Sequence, residues 1–388
     1  MEISACVKYV GVNDHQVDLF EGQYKVPNGM SYNSYVILDD KIAIMDTVDG
    51  FFTEEWLNNV EQVLDGKMPD YLVIQHMEPD HSASIPAFLK KYPKVTVVST
   101  AKGFQFMEQF FPEFFAGQGL PAEQRIVAAN DGVLELGQHS LHFVYAPMVH
   151  WPEVMMTYEA TEKILFAADG FGKFGALDAE EEWADEARRY YIGIVGKYGP
   201  QVQAVLKKAA GLDIQTICSL HGPVLKENLG FYLEKYDRWS SYQPEESGVV
   251  IAYASVYGNT RNAAEYLADV LQEKGQKTVL YDLARCDKAK AVADAFRYDR
   301  LVLAGITYNG DLFPCMRSFI EGLTERNYQN RKVAIIENGT WAPMAGKLIL
   351  GMFEKSKNLT FTETTVSIKS AMNAQNKDEI GKLAEELC

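Results

Sequence analysis

The chain has 388 residues, of which 47% are hydrophobic, and 37 Lys and Arg against 53 Asp and Glu residues give it a formal net charge of −16. This length and apolar content predict two or three domains with large cores. The acidic balance argues against general binding to nucleic acids or anionic membranes, because both attract basic proteins.

Cysteine usage and the N-terminus indicate a cytoplasmic protein. The five cysteines are scattered and form no C-x-x-C pair, which is typical of a reducing compartment. The opening residues MEISACVKYV lack the basic and apolar regions of a signal peptide. No apolar run approaches the ~20 residues of a membrane span. We therefore expect a cytoplasmic protein without a membrane segment.

Strands dominate the first 240 or so residues. The runs SYNSYVIL and KIAIMDTV flank Asp39 and Asp40, a pattern that predicts a hairpin. Further strands are predicted for YLVIQH, KVTVVST, HSLHFVYA, EVMMTYEA and KILFAAD. Helical patterns cover residues 53–64, 101–111 and 180–197. Sheets with helices packed outside them are the architecture that this order predicts.

A polar segment, RWSSYQPEESG at 238–248, separates the strand-rich first part of the chain from a part in which strands and helices alternate. Its Pro244 and Gly248 are turn residues, so we place a domain boundary there. The predicted domains are residues 1–245 and residues 248–388.

After this boundary, strands and helices alternate strictly. VVIAYAS is a short apolar strand, and the helix NTRNAAEYLADVLQEKG follows it. Four more strands are predicted for KTVLYD, RLVLAGI, KVAIIEN and LTFTETTV, with helical stretches between them. Five strands in this order predict a doubly wound parallel sheet of the flavodoxin kind.

Metal-ligand chemistry is concentrated in HMEPDH, directly after the strand YLVI. Alternate residues of an extended segment share a face, so His76 and Glu78 should point together, with Asp80 next in line. His81, one step further, can turn toward a second ion. An isolated His–Asp pair is more often a surface ion pair. Four such residues within six positions after a buried strand favour a metal site.

Partners for this motif lie far away in sequence, at the ends of other predicted strands: His150, Asp169 and His221. Four histidines and three carboxylates are enough for two ions with a bridging carboxylate and an open position for substrate. For His15, His139 and His142 we expect ordinary surface or packing roles.

The run GFGKFG at 170–175 matches a dinucleotide-binding fingerprint. Such a fingerprint should open a helix directly within a βαβ unit, whereas Ala176, Leu177 and Asp178 intervene here. We interpret the glycines as a tight loop that holds Asp169, and we do not expect NAD binding.

Three loops at the carboxyl ends of the later strands predict a flavin site. YASVYGNTRN joins the first strand to the first helix and lacks the lysine of an ATP-binding loop, so neutral donors would hold a phosphate that is never transferred. ITYNGDLFP and ENGTWAP follow the third and fourth strands and supply aromatic side chains for a flat ring. Each loop alone could be a plain turn, and each aromatic alone a core residue. Together they predict FMN. The candidate FMN-binding residues are Ser255, Val256, Tyr257, Gly258, Asn259, Thr260, Thr307, Tyr308, Asn309, Gly310, Asn338, Gly339, Thr340 and Trp341.

The order H-x-E-x-D-H, H-W-P, D and H-G-P resembles the metallo-β-lactamase-like domain of the flavodiiron proteins, as does SYNSYVIL. SVYGNT and TYNGDLFP resemble the flavodoxin-like domain of the same family. The resemblance implies an α/β protein in which an αββα metallo-β-lactamase-like sandwich precedes a doubly wound five-stranded parallel flavodoxin-like sheet. Hydrolases of this fold typically carry histidine where this chain has Glu78.

The resemblance also implies two non-haem iron ions and FMN. One iron would be bound by His76, Glu78 and His150. The other would be bound by Asp80, His81 and His221, with Asp169 bridging. The implied reaction is reduction of O₂ to water, of NO to nitrous oxide, or of both. Electrons would come through FMN from a rubredoxin-like protein or a reduced deazaflavin. The implied assembly is a head-to-tail homodimer or a dimer of dimers.

Two functions of other classes stay open at this stage. The first is a zinc-dependent hydrolase with an electron-transfer or regulatory flavodoxin domain. The second is a non-enzymatic electron carrier or redox sensor, in which the flavin would cycle but neither O₂ nor NO would be consumed.

Overall fold

A computed structural model describes residues 3–115 and 120–388. The chain divides into two compact units, one comprising Met1–Tyr190 and Pro200–Tyr236 and the other Tyr191–Gly199 and Asp237–Cys388. Among the described residues, no helix combines the length and the apolar character needed to cross a bilayer.

The first unit is built from short strands. In chain order they are Val7–Tyr9 (β1), Val12–Asp14 (β2), Leu19–Phe20 (β3), Tyr24–Lys25 (β4), Met30–Tyr32 (β5), Tyr35–Ile37 (β6), Ala43–Met45 (β7), Tyr71–Val73 (β8), Thr96–Ser99 (β9), Arg125–Val127 (β10), Val133–Glu135 (β11), Ser140–Tyr145 (β12), Met155–Glu159 (β13), Ile164–Phe166 (β14) and Thr216–Cys218 (β15). The α-helices of this part of the chain are Thr53–Leu64 (α1), Pro79–Ser82 (α2), Ile85–Lys91 (α3), Ala101–Phe110 (α4), Pro112–Phe115 (α5), Trp183–Tyr190 (α6), Gly199–Ala209 (α7) and Leu229–Ser240 (α8).

Two sheets pack face to face in this unit. The first has the order β1-β6-β7-β8-β9-β10, and the second has the order β11-β12-β13-β14-β15. One core cluster contains Ile37 and Val73 of the first sheet together with Phe143 and Phe166 of the second. Alternate residues of the first sheet, such as Leu72, are also fully buried, so the opposite face is covered as well. The predicted αββα sandwich is confirmed.

The predicted hairpin around Asp39 is confirmed, because β6 and β7 pair antiparallel with Tyr35 opposite Met45. The helix predicted at 53–64 is α1, which ends where Asp65 adopts a left-handed conformation (φ 48°). The helix predicted at 101–111 is α4, and the Thr100 hydroxyl caps it by accepting a hydrogen bond from Gly103 N at 3.0 Å.

The continuous helix predicted over 180–197 is wrong. The α-helix covers only Trp183–Tyr190, and a π-helical turn at Tyr191–Val195 and a 3₁₀ turn at Gly196–Tyr198 follow it. Gly193 and Gly196 weaken the helix there, because glycine loses more backbone freedom on becoming helical than other residues do. The Gly193 carbonyl accepts a hydrogen bond from the Arg326 guanidinium instead.

The second unit alternates strands and helices. The strands are Glu246–Tyr253 (β16), Thr278–Asp282 (β17), Tyr298–Tyr308 (β18), Asp311–Leu312 (β19), Arg331–Asn338 (β20) and Leu359–Ile368 (β21). The helices are Asn259–Glu273 (α9), Lys288–Arg297 (α10), Pro314–Thr324 (α11), Ala345–Met352 (α12) and Ala374–Glu386 (α13).

Five of these strands form a parallel sheet in the order β17-β16-β18-β20-β21, and the short β19 pairs antiparallel with β18. The order places β16 between β17 and β18, so the carboxyl end of β16 is the switch point at which ligands of such sheets bind. The predicted doubly wound, flavodoxin-like sheet is confirmed. The polar segment 238–248 is packed rather than extended, since Trp239 and Tyr242 are buried.

Candidate metal centre and flavin pocket

The strand β8 delivers the HMEPDH motif to the carboxyl edge of the first sheet. The chain stays extended only as far as Glu78, and α2 then begins at Pro79. Proline at the first helical position favours this turn, because its φ is already helical. Asp80 therefore does not continue the line of His76 and Glu78, and that expectation is corrected. The turn sends Asp80 and His81 to a different cluster.

The first cluster consists of His76, Glu78, His150 and Asp169. The nitrogen His150 Nε2 lies 3.0 Å from Glu78 Oε2 and 3.1 Å from Asp169 Oδ2. His76 Nε2 lies 3.3 Å from the same Glu78 oxygen and 3.3 Å from His150 Nε2. Four donor atoms from three separate segments thus converge on one point.

The second cluster consists of Asp80, His81 and His221. Asp80 Oδ2 lies 3.2 Å from His81 Nε2 and 3.3 Å from His221 Nε2. The two imidazole nitrogens are 3.1 Å apart. These three donor atoms also converge, and their side chains are buried or nearly so.

Asp169 links the two clusters through its two carboxylate oxygens. Oδ2 lies 3.1 Å from His150 Nε2 in the first cluster, whereas Oδ1 lies 3.2 Å from His81 Nε2 in the second. The carboxylate is held in place by a tight loop, because a side chain at Gly172 would meet the Asp169 carbonyl oxygen at 3.0 Å and His221 Cβ at 3.3 Å. The glycines of GFGKFG therefore shape this loop, and the next helix, α6, begins only at Trp183.

Burial and neighbouring charges shift the pKa values of the clustered histidines and of Asp169. Burial opposes a charged imidazole, but the charge of Asp169 and contacts with Glu153 and Glu78 outweigh it and raise the pKa of His76. Burial also opposes a charge on His150, but hydrogen bonds with Asp169 and Glu78 outweigh it and raise the pKa of His150 to about 9. Burial alone would raise the pKa of Asp169, but the surrounding histidines lower it well below its usual range. The carboxylates thus require cations beside them.

Several donor atoms lack the partner that a hydrogen-bond network would provide. Both Asp80 oxygens and Asp169 Oδ1 are buried without a hydrogen bond of acceptable geometry among the described residues. Imidazole nitrogens face one another at 3.1 and 3.3 Å in the two clusters. Lone pairs that converge in this way suit metal ions, and imidazole with carboxylate is a ligand set for iron and other first-row metals. The residues therefore fit a pair of ions.

Groups that were not predicted from the sequence orient the histidines. His76 Nδ1 donates to Glu153 Oε1 at 2.8 Å, and His221 Nδ1 donates to the Ser31 carbonyl at 2.7 Å. Such contacts fix the ring so that Nε2 is free for a metal. Buried Asp46 holds the start of the motif by accepting from Gln75 N at 2.7 Å. None of the three belongs to a spacing pattern that sequence reading could use.

Aromatic rings surround the clusters. The Trp151 ring lies 5.3 Å from that of His76 and perpendicular to it, and Phe20 and Tyr190 each lie 5.5 Å from the His221 ring. These rings limit the access of water to the group. The remaining histidines lie outside it: His15 is exposed beside Asp178, and His142 contacts Ser140.

A cavity of about 390 Å³ lies at the carboxyl edge of the second unit's sheet. That volume falls in the range of small-ligand pockets. All the predicted FMN-binding residues except Gly258 line it, and Ile306, Ala342, Met344 and Ser370 line it too. Ser370 follows β21, so the fourth strand end at this edge also contributes. Phe313 packs against the Tyr308 ring.

The start of α9 shapes one end of this cavity. Gly258 adopts a left-handed conformation (φ 89°) directly before the helix and donates its N–H to the Ser255 hydroxyl at 3.2 Å. The first N–H groups of a helix have no carbonyl partner within the helix and favour an anion. Tyr257 and Trp341 beside the cavity are 92% and 90% exposed, as expected of rings that cover a ligand.

Comparison with known proteins assigns a family to each half. Residues 30–222 match the ODP family beta lactamase, and residues 250–358 match a flavodoxin domain. The anaerobic nitric oxide reductase flavorubredoxin of Vibrio vulnificus is 27% identical over 96% of this chain and 75% of its own length. Diflavin flavoprotein A 1 of Synechocystis is 33% identical over 71% of this chain, and the match spans about half (48%) of that longer protein.

A comparison with solved structures gives the same family. The rubredoxin:oxygen oxidoreductase of Desulfovibrio gigas superposes with a TM-score of 0.91 at 25% identity, covering 100% of this chain and 97% of that one. This chain belongs to the flavodiiron protein family. The cofactors of that family, FMN and a non-haem di-iron pair, match the chemistry of the two sites.

Proposed function

We propose that this protein is an oxidoreductase that reduces O₂ to water, NO to nitrous oxide, or both, with electrons passing through FMN from an external donor. The observation that carries the proposal is Asp169, whose two oxygens each face a different cluster of imidazole and carboxylate donors. A carboxylate in that position is suited to bridge two ions.

The proposed ligand assignment follows the two clusters. One iron would be held by His76, Glu78 and His150, the other by Asp80, His81 and His221, and Asp169 would bridge them. The pair, when bound, supplies electrons and open coordination positions for a small diatomic molecule. Glu78 contributes an anionic oxygen where hydrolases of this fold have imidazole, which favours iron over zinc.

The chain's own residues prepare the site in three ways. Glu153 and the Ser31 carbonyl fix the rings of His76 and His221, so that Nε2 of each faces inward. The aromatic side chains around the clusters keep bulk water away. The buried carboxylates lower the cost of holding positive charge in an apolar setting.

We propose that FMN occupies the cavity of the second unit. Its phosphate would lie at the start of α9, beside Ser255, Asn259 and Thr260, and its ring would lie between Tyr257 and Trp341. The proposed FMN ligands are Ser255, Val256, Tyr257, Gly258, Asn259, Thr260, Thr307, Tyr308, Asn309, Gly310, Asn338, Gly339, Thr340 and Trp341.

The organisation of the active protein is also a proposal. Residues 1–245 would form the di-iron domain and residues 248–388 the FMN domain, in line with the matched ranges 30–222 and 250–358. We propose a head-to-tail homodimer, or a dimer of dimers, in the cytoplasm. The donor would be a rubredoxin-like protein, a class that the name of the Desulfovibrio gigas relative includes, or a reduced deazaflavin.

The other functions considered have less support. The ligand set argues against the zinc hydrolase, because Glu78 stands where hydrolases of this fold carry imidazole. A simple electron carrier has no use for seven converging, largely buried metal ligands.

The decisive experiment is anaerobic reduction of the iron- and FMN-loaded protein, followed by separate measurement of O₂ and NO consumption. Consumption of either gas that His76→Ala abolishes and the exposed control His15→Ala retains would support the proposal. Normal flavin cycling without consumption of either gas would overturn it, and stoichiometric zinc with ester or thioester hydrolysis would favour the hydrolase.

A further inference from the structure

A third group of potential ligands lies away from both sites. Cys6 Sγ, a ring nitrogen of His139 and a Glu162 carboxylate oxygen all lie within 4.8 Å of one another. We propose that these residues form a mononuclear site for a divalent transition metal of the zinc class. Its role would be structural, because it would join the N-terminal segment of the first sheet to the second sheet.

The strand directions separate this group from the proposed di-iron ligands. His139 directly precedes β12, whereas His150 lies beyond the other end of that strand. Glu162 precedes β14, and Asp169 follows it. Cys6 directly precedes β1. The Cys6 group is therefore at the opposite edge of the sandwich.

The distance between the His139 and Glu162 donor atoms suits a tetrahedral ion. Metal–ligand distances of zinc with sulfur, nitrogen and oxygen place the donors roughly 3.4–3.6 Å apart in a tetrahedron. His139 Nε2 lies 3.7 Å from Glu162 Oε1, which is too long for a hydrogen bond but close to that spacing. Three protein ligands leave a fourth position for water.

The surroundings of His139 match those of a metal-bound histidine. Its Nδ1 donates to Asp39 Oδ2 at 2.8 Å, and its backbone N–H donates to the same oxygen at 2.7 Å. This carboxylate fixes the ring with Nε2 turned toward Glu162, and carboxylate–histidine pairs of this kind commonly support metal ions. An Asp39–His139 contact alone would explain the fixed ring. It would not explain the thiol and the second carboxylate at Nε2.

Two further observations point to a cation. The atom Glu162 Oε2 is buried without a hydrogen-bond partner among the described residues. Burial and the negative charges of Glu162 and Asp39 raise the pKa of the Cys6 thiol. A metal ion would give the Glu162 oxygen a partner. By displacing the thiol proton it would also make Cys6 a second anionic ligand beside Glu162.

The first test uses the full-length protein with FMN bound and its di-iron centre already filled. Zn²⁺ at one further equivalent should slow alkylation of Cys6 by N-ethylmaleimide at least tenfold, as measured by peptide mass spectrometry. Exposed Cys388 is the internal control and should react at an unchanged rate. Equal rates for Cys6 with and without Zn²⁺ would overturn the proposal.

The second test identifies the ligands with Co²⁺, which reports thiolate coordination by an ultraviolet charge-transfer band. One equivalent beyond the filled di-iron centre should produce this band, Cys6→Ser should remove it, and Cys388→Ser should keep it. Glu162 lies on a turn and is partly exposed, so Glu162→Gln should weaken Co²⁺ binding and leave the protein folded. A band that survives in Cys6→Ser would contradict the assignment. Neither readout depends on O₂ or NO reduction, so this site and the proposed function are tested separately.

Discussion

His76 Nδ1 donates a hydrogen bond to Glu153 Oε1 at 2.8 Å, and the same carboxylate oxygen accepts from Met77 N at 2.9 Å. Both side chains are buried. One carboxylate thus fixes the ring and the backbone of the motif that carries four of the seven proposed ligands. Its removal should disturb the metal centre without removing a ligand.

Glu153→Gln is therefore expected to lower iron affinity roughly 10–100-fold, as losses of such outer contacts commonly do. The amide keeps the shape but weakens the charge-assisted contact with His76. Iron content after dialysis against graded chelator measures the effect. Glu108→Gln is the matched control, because Glu108 pairs with Arg125 on the surface. Equal iron retention in both variants would show that Glu153 does not support the centre.

Asp169→Asn tests the bridging carboxylate. An amide offers one oxygen, so it cannot serve both clusters with anionic donors, and we expect fewer than two irons per chain. The loss of gas consumption should exceed the roughly 10–100-fold expected for an outer contact. Asp178→Asn, which changes an exposed carboxylate beside His15, is the control. Two tightly held irons in Asp169→Asn would refute the bridge.

Metal binding should release protons. The pKa of His76 is raised and that of His150 is about 9, so both imidazoles are protonated in the metal-free protein at pH 7. Metal ions need the neutral rings and must displace those protons. Above pH 9 the His150 ring loses its proton before metal arrives, so the number of protons released should fall as pH rises from 7 to 10.

Calorimetric titration of metal-free protein with Mn²⁺, in two buffers of different ionisation enthalpy, counts these protons. The His76→Ala variant should release fewer. Release that is independent of pH across this range would mean that the imidazoles are already neutral in the metal-free state.

Some features of the metal centre could be predicted from the sequence, and others could not. The apolar pattern of β8 and the alternation of strands and helices after β16 follow local rules. The sheets that contain these strands could therefore be predicted. The chain alternates as an extended strand from His76 to Glu78, but a helical turn begins at Pro79 and redirects Asp80. Glu153 could not be found, because a side chain that supports a ligand through space obeys no spacing along the chain. Its place depends on how β12 and β8 come together.

The flavin pocket shows the same limit. Loops after β16, β18 and β20 were recognisable by their glycines and aromatics, whereas Ser370 after β21 has no such signal. Its contribution follows from topology alone, since all parallel strands of the sheet end at one edge.

Gly258 gives a test of the phosphate end of that pocket. A Cβ there would meet nothing within 4 Å, but the backbone is left-handed (φ 89°). Gly258→Ala should therefore cost about 1–2 kcal/mol through strain alone. Relief of that strain would move the loop, so FMN affinity should fall about 5–30-fold if all of that cost falls on the bound state. Fluorescence titration of flavin-free protein with FMN measures it.

Gly351→Ala is the matched control, because its added Cβ also meets nothing within 4 Å and its backbone is helical. It should bind FMN normally and be neutral or slightly stabilising. Equal FMN affinity in the two variants would show that the conformation of Gly258 is not needed for binding.

The proposed dimer makes a prediction that only mixed subunits can test. His76→Ala removes a metal ligand from one domain, and Asn259→Ala with Thr260→Ala is designed to remove FMN from the other. Each variant alone should consume little O₂ or NO.

If FMN of one subunit serves the metals of its partner, a hybrid of the two variants has one intact pairing of FMN with a metal centre. Co-refolded or co-expressed variants should then regain up to about a quarter of wild-type activity, because half of the random dimers are hybrids and each has one working pair of two. Sedimentation measures the oligomer in parallel. Activity that stays at the level of the separate variants, in a mixture shown by mass spectrometry to contain hybrids, would mean that electrons pass within one subunit.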